Sequence, residues 1–378
     1  MIGTLMLVER LAHTTADTLA EALRRVSADA EVGSVLVLLA EEGLPSTEDL
    51  AAALRRCDVE LFGGVFPRVI HGAELLASGG VVVGLPVPAH VAVVEEISAA
   101  PERFDARLEA ALEGADIEGR TVITFVDGTS AHIDALLGSL FEQVGLLGTY
   151  LGGGAGSLSF EPMPCLLTRH GVHQDAAVIA VVDLVSTVGV AHGWQAVGSP
   201  LAVTAAVGRR IDALDHHPAV EVYEQLIAEH AGTAPDGDLF ERAASYPLGI
   251  VQLDGELVVR DPVGRDGDAL LCVGEIPKGA FVRLMYGDTG SLLTAAAQAA
   301  AAPAAVASEA GLGVVFDCVS RVLYLGDGFR DELEVVDVGH PRVGAATIGE
   351  VCNPGDRYLE LYNKTVVAAR LEVPDGDA

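Results

Sequence analysis

The sequence of 378 residues predicts an α/β fold of two lobes, with mixed parallel and antiparallel sheets flanked by helices. Three observations predict it. Continuous apolar runs of strand length, such as GSVLVLLAEE at 33–42, read as strands buried on both faces. Ile133, Leu136, Leu137, Leu140, Phe141 and Val144 fall on one face at helical spacing, as in a helix laid on a sheet. The alternation of short apolar runs and turns over 165–184 reads as an antiparallel hairpin, which makes the sheet mixed.

Taken in order, residues 1–32 form an N-terminal extension, a strand and a helix packed on the first lobe. The first lobe proper spans 33–218. It opens with the strand at 33–42 and a helix over 46–57 capped by Ser46 or Thr47. Gly63, Gly64, Pro67, Gly79 and Gly80 break 61–85 into short strands and turns. A helix reaches Glu113, and the β-branched run 121–126 is a strand that ends at Asp127-Gly128. The clearest helix starts at Thr129 or Ser130 and stops at Gly145. Residues 146–157, LLGTYLGGGAGS, read as a strand running into a glycine-rich turn.

Pro218 opens a further helix and marks the boundary of the second lobe, 219–372, ahead of an acidic tail at 373–378. Strands at 248–252, 256–260, 269–273 and 281–285 are joined by short turns and are therefore antiparallel. Residues 291–310 are alanine-rich and helical by propensity, interrupted at Pro303. No repeat of solenoid period is evident.

Composition excludes several classes of function. No uncharged apolar run reaches the ~20 residues that cross a bilayer, and the N-terminus lacks the basic lead of a signal peptide. A cytoplasmic protein without membrane partners is expected. The 54 acidic residues against 23 basic ones, a net charge of -31, oppose binding to nucleic acid. The five cysteines are scattered, with no CxxC pair, so neither a disulfide framework nor a zinc cluster is expected.

Chemistry concentrates in GVVFDCVSRVLYLG at 313–326, where an apolar run breaks into Asp317, Cys318, Ser320 and Arg321. Two later breaks, Gly349-Glu350 and Asn363-Lys364-Thr365, each precede valines, so three strand ends are expected to converge on one pocket. Arg321 either pairs with Asp317 or grips a ligand carboxylate, while Glu350 takes an ammonium and Asn363 and Thr365 either add hydrogen bonds to the ligand or serve the turn between two strands. Gly153 and Gly154 offer backbone N–H groups to an anion, or serve close packing instead. Cys318 beside Arg321 is the nucleophile of an alternative reading as a thiol enzyme, with His192 or His340 as base. His192 is also the best axial ligand for a haem, in a further alternative as a gas sensor.

Several segments, in order, resemble the FIST family of sensory modules, which has an N-terminal and a C-terminal FIST domain. They are TFVDG at 124–128, LGTYLGGGAGS, the junction HGWQAVGSPLAVTAAVGRRI at 192–211, YPLGI, VVRDPV, GEIPKG, FDCVSR, the Gly-Glu pair and YNKT. The family usually has aromatic residues before the Gly-Glu pair, where this chain has Ala345, Ala346 and Thr347, so the resemblance implies an altered pocket wall. It also implies a protein that is not an enzyme and that binds a small ligand, with amino acids suggested. It further implies signalling in trans to a partner such as a kinase. No cofactor is expected, although some members are similar to haem-binding nitric oxide sensors.

Overall fold

The computed structural model describes residues 6–99, 101–232, 241, 243–252, 255–306, 311–339, 341–353 and 357–374. His340 and the end of the acidic tail lie outside them. Mixed sheets with helices on their outer faces confirm the α/β class, and the strands form three sheets of six and one of seven.

The three six-stranded sheets are one design built three times. In each, a central parallel pair is flanked by two antiparallel strands on either side. The parallel pairs are Ser34–Ala40 with Glu60–Phe66, Thr121–Asp127 with Thr149–Ala155, and Leu312–Cys318 with Arg342–Thr347. The chain order is also the same: edge strand, helix, strand, helix, strand, hairpin and return strand. The first pass runs from Leu7 to Leu85, the second from Ala89 to Val182 and the third from Val185 to Glu372.

Each pass gives its hairpin to a neighbour. Arg68–His71 and Glu74–Leu76 extend the third sheet, Leu166–Thr168 and Gly171–His173 the first, and Glu350–Asn353 and Glu360–Tyr362 the second. The exchange closes a ring, so no pass completes a sheet alone. The inner faces meet at Phe66, Phe125 and Phe316, one from each sheet, in edge-to-face contacts at 5.4 and 5.5 Å. Each such contact adds ~1 kcal/mol beyond the area it buries.

The repeat has a marker visible only in register. Gly63, Gly152 and Gly344 stand opposite Val37, Thr124 and Val315 across the three parallel pairs. A Cβ at each would lie 1.9, 1.9 and 1.8 Å from that partner's carbonyl oxygen. Only glycine fits there.

The third pass is interrupted after Ala191 by a fourth, seven-stranded sheet running from Gln195 to Tyr286, on which helix Ala219–Ala231 packs. The structural division therefore lies between a three-sheet body and this inserted sheet. Segments 33–218 and 219–372 are interleaved: three of the four sheets take strands from both. The opening strand Leu7–Leu11 is hydrogen-bonded into the first sheet.

Two local expectations also change. Gly152, Gly153 and Gly154 lie within strand Thr149–Ala155, not in a turn after it, and Gly156 follows the strand. Pro303 sits in the last turn of helix Thr289–Ala304 and does not interrupt it; the helix ends one residue beyond it.

Candidate functional site

The three strand ends named from the sequence do converge, around a buried cluster in the third pass. Glu350 lies opposite Gly153, and Cys318 opposite Thr347. The Cys318 N–H donates to the Thr365 carbonyl at 3.2 Å. Glu350 is fully buried: its carboxyl accepts from the Thr347 hydroxyl at 2.9 Å and from the Thr365 N–H at 3.3 Å, and it hydrogen-bonds the Cys318 thiol. Burial pushes its pKa well above the carboxylate range, against the pull of those hydrogen bonds.

Arg321 is also fully buried and sits between two acids. Its Nε and Nη2 grip Glu332 at 2.9 and 2.8 Å, and Asp317 lies 3.3 Å from Nε. The other donors reach the carbonyls of His192 at 2.7 Å, Leu292 at 3.2 Å and Lys364 at 3.4 Å. A guanidinium has five N–H groups, and all are engaged. Arg321 is a core brace, not a ligand anchor. Burial, followed by the proximity of Glu332, raises the Asp317 pKa well above the carboxylate range.

The other expected site residues are internal too. Asn363 donates to the Tyr362 carbonyl, and the Thr365 hydroxyl donates to the Asn363 carbonyl. A Cβ on Gly153 would meet Thr347 at 2.6 Å, and one on Gly154 the Ile348 carbonyl at 2.0 Å, so both glycines serve close packing. Burial, then Glu350, pushes the Cys318 thiol up, which keeps it protonated and a poor nucleophile. His192 accepts a hydrogen bond from the Trp194 N–H at Nδ1 and hydrogen-bonds the Leu257 backbone, while burial and Arg321 pull its pKa down to about 4. A ring engaged in this way offers no nitrogen to a haem iron.

The threefold design serves as an internal control on this cluster. Positions equivalent to Asp317 hold Leu39 and Val126, and those equivalent to Glu350 hold Val69 and Leu166. Thr347 corresponds to Phe66 and Ala155, and Thr365 to Gly79 and Ala176. The first pass closes these strand ends without a buried acid, and the second carries one, Asp127, at the position of Cys318, where it accepts from Thr129 and the Asp175 N–H. The polar cluster is specific to the third pass.

The same region latches the inserted sheet to the body. Lys364, 2% exposed and left-handed at φ 50°, lies 3.3 Å from Asp261 of the inserted sheet and 5.2 Å from the Trp194 ring. Ser320 donates to the same Asp261 oxygen at 2.8 Å. Arg260 reaches across to Asp134 at 2.8 Å and to the Leu361 carbonyl at 2.7 Å.

Beside this latch a cleft of about 480 Å³ separates the inserted sheet from the body. The body supplies Gly128 and Thr129 at the carboxyl end of strand Thr121–Asp127, together with Phe160, Pro162 and Ile348. The inserted sheet supplies Arg209, Val263, Leu271 and Cys272. A recess of about 130 Å³ shares Gly128, Arg209, Val273 and Ile348 with the cleft and adds His132, Asp134 and Glu275. The carboxyl ends of parallel strands are where open α/β sheets hold ligands.

Arg209 is the exposed second residue of the two-residue turn joining Gln195–Val207 to Arg210–Leu214. Among the described residues its side chain makes no ion pair or hydrogen bond. Its neighbour Arg210 pairs with Asp212 and Asp266. Burial, then the nearby Asp261, pushes the Cys272 thiol up to about 12, so Cys272 adds no charge to this wall.

Compared with known protein families, residues 9–217 match the FIST N domain and residues 219–353 the FIST C domain. The chain belongs to the FIST family. FIST domains are sensory domains of signal transduction. None of the curated proteins compared with the chain matches it. The cleft lies between the two FIST domains, with Gly128, Thr129, Phe160, Pro162 and Arg209 from FIST N and Val263, Leu271, Cys272 and Ile348 from FIST C. Sequence reading passed over Arg209 and Phe160. The available signal was an Arg-Arg pair after a glycine, which places one of the two arginines on a turn.

Proposed function

We propose that this FIST protein senses a small metabolite held in the cleft between the body and the inserted sheet. The single observation that carries the proposal is the guanidinium of Arg209, unpaired among the described residues, at the edge of a largely apolar cleft in a chain of net charge -31. Such a cation selects a ligand with a carboxylate or another single anionic group. Phe160, Pro162, Val263, Leu271 and Ile348 offer it an apolar wall, and Glu275 in the recess, with a side chain 33% exposed, offers a partner for an ammonium. An amino acid with an apolar side chain meets all three conditions.

A signal requires the ligand to bind one arrangement of the protein better than another. The two walls belong to parts joined by Asp261–Lys364 and Arg260–Asp134, so a ligand that bridges the walls favours the latched arrangement. A partner protein such as a kinase reads that arrangement in trans. The high thiol pKa of Cys318 favours binding over thiol catalysis.

The test is a melting-temperature panel of leucine, phenylalanine, 4-methylpentanoate and leucinamide on the wild type and on Arg209→Met. Ligand at about 100 times its Kd adds ~2.7 kcal/mol. The carboxylates stabilise the wild type but not Arg209→Met, and leucinamide stabilises neither. Equal shifts in both proteins, or no shift with any compound, would remove Arg209 from the account.

A further inference from the structure

A second cavity, of about 460 Å³, lies apart from the cleft, between the start of helix Thr289–Ala304 and the chain at His192–Gln195. Its chemistry is different. Among the described residues the lining contains no lysine or arginine, and its single acid, Glu256, is already paired with Arg357 at 2.6 Å. A charged ligand would find no free counter-charge here.

The lining is instead rich in neutral hydrogen-bonding groups. Gln195 and Gln298 are exposed on opposite walls, and among the described residues neither amide makes a hydrogen bond within the protein. Tyr362 lines the same cavity at 2% exposure, and its hydroxyl has no hydrogen-bond partner among the described residues. An unpaired buried hydroxyl costs free energy unless something satisfies it. The Thr365 hydroxyl donates to Asn363 and keeps its acceptor lone pairs. Amides, hydroxyls and an indole wall at Trp194, without net charge, complement a neutral polyhydroxyl compound.

We infer that this cavity is a second ligand site, for a monosaccharide or cyclic polyol. The site adjoins the buried cluster, because Thr365 belongs to both and the His192 carbonyl holds Arg321. Occupancy therefore bears on the same strand ends as the buried cluster. The inference does not rest on the reading of the cleft, since the two linings share no residue.

The chain supplies its own reporter, because Trp194 is its one tryptophan and lines this cavity. D-glucose, D-galactose and myo-inositol are titrated into the full chain while tryptophan emission is followed. At least one gives a saturable change. Gln298→Leu, at an exposed helix position, weakens that titration by about tenfold, the worth of one good neutral hydrogen bond. Gln195→Leu does the same, and Arg209→Met leaves it unchanged. Linear, non-saturating changes with all three compounds would overturn the inference, as would a saturable change that both glutamine variants preserve.

Discussion

Arg321 shows how a residue type that suggests ligand binding becomes structural once its neighbours are known. Its partners Glu332 and Leu292 come from elements that nothing in the local sequence ties to it. Removing one member of a buried pair leaves an uncompensated charge, so Arg321→Met is expected to cost about 3–5 kcal/mol in urea denaturation. Asp317→Asn replaces a carboxyl whose charged form burial already disfavours and is expected to cost less. Asp317 and Glu350 also set a pH dependence. Their folded pKa values are raised by burial, so the folded protein holds protons that the unfolded chain has released. The stability they contribute is complete below about pH 4 and is lost as pH rises toward the folded values, by up to ~1.4 kcal/mol per unit for each proton. Glu350→Gln is accordingly expected to flatten the fall in stability between about pH 5 and pH 7, measured as the difference in unfolding free energy between variant and wild type.

At the scale of elements, local signals were legible wherever a period or a terminator carried them. The helix Ile133–Val144 follows its apolar stripe and ends at Gly145. Its start was misplaced, because Thr129 and Ser130 serve the turn: the Thr129 hydroxyl bonds Asp127, the Ser130 hydroxyl bonds Asp175, and His132 is the cap. The threefold design left no comparable trace. Its repeats agree in register, not in residue identity, and the third is split by the inserted sheet. The exchanged hairpins pair residues as distant as Arg68 and Ala346, and such pairings have no local signature. The three close-approach glycines test the equivalence. Gly63→Ala, Gly152→Ala and Gly344→Ala are each expected to destabilise by about 3 kcal/mol or more, since a Cβ must displace backbone. Gly138→Ala, inside a helix with open space around it, is expected to stabilise by ~0.5–1 kcal/mol. Thermal unfolding of the four variants separates the two outcomes.

At the scale of the whole molecule, the sequence pointed to the right third of the chain and the wrong layer of it. Cys318, Glu350, Asn363 and Thr365 do meet, as a buried cluster of which Thr365 also lines the second cavity. The accessible chemistry is carried by residues such as Arg209 and Phe160, which stand on turns and loops where no period marks them. The proposed ligand lies between two bodies held by Asp261–Lys364 and Arg260–Asp134. Hydrogen–deuterium exchange with and without saturating leucine tests that placement most directly. Slowed exchange is expected on both walls together, at residues 128–134 and 208–210 and at 271–275. Protection confined to one wall, or appearing only around helix Thr289–Ala304, would contradict it.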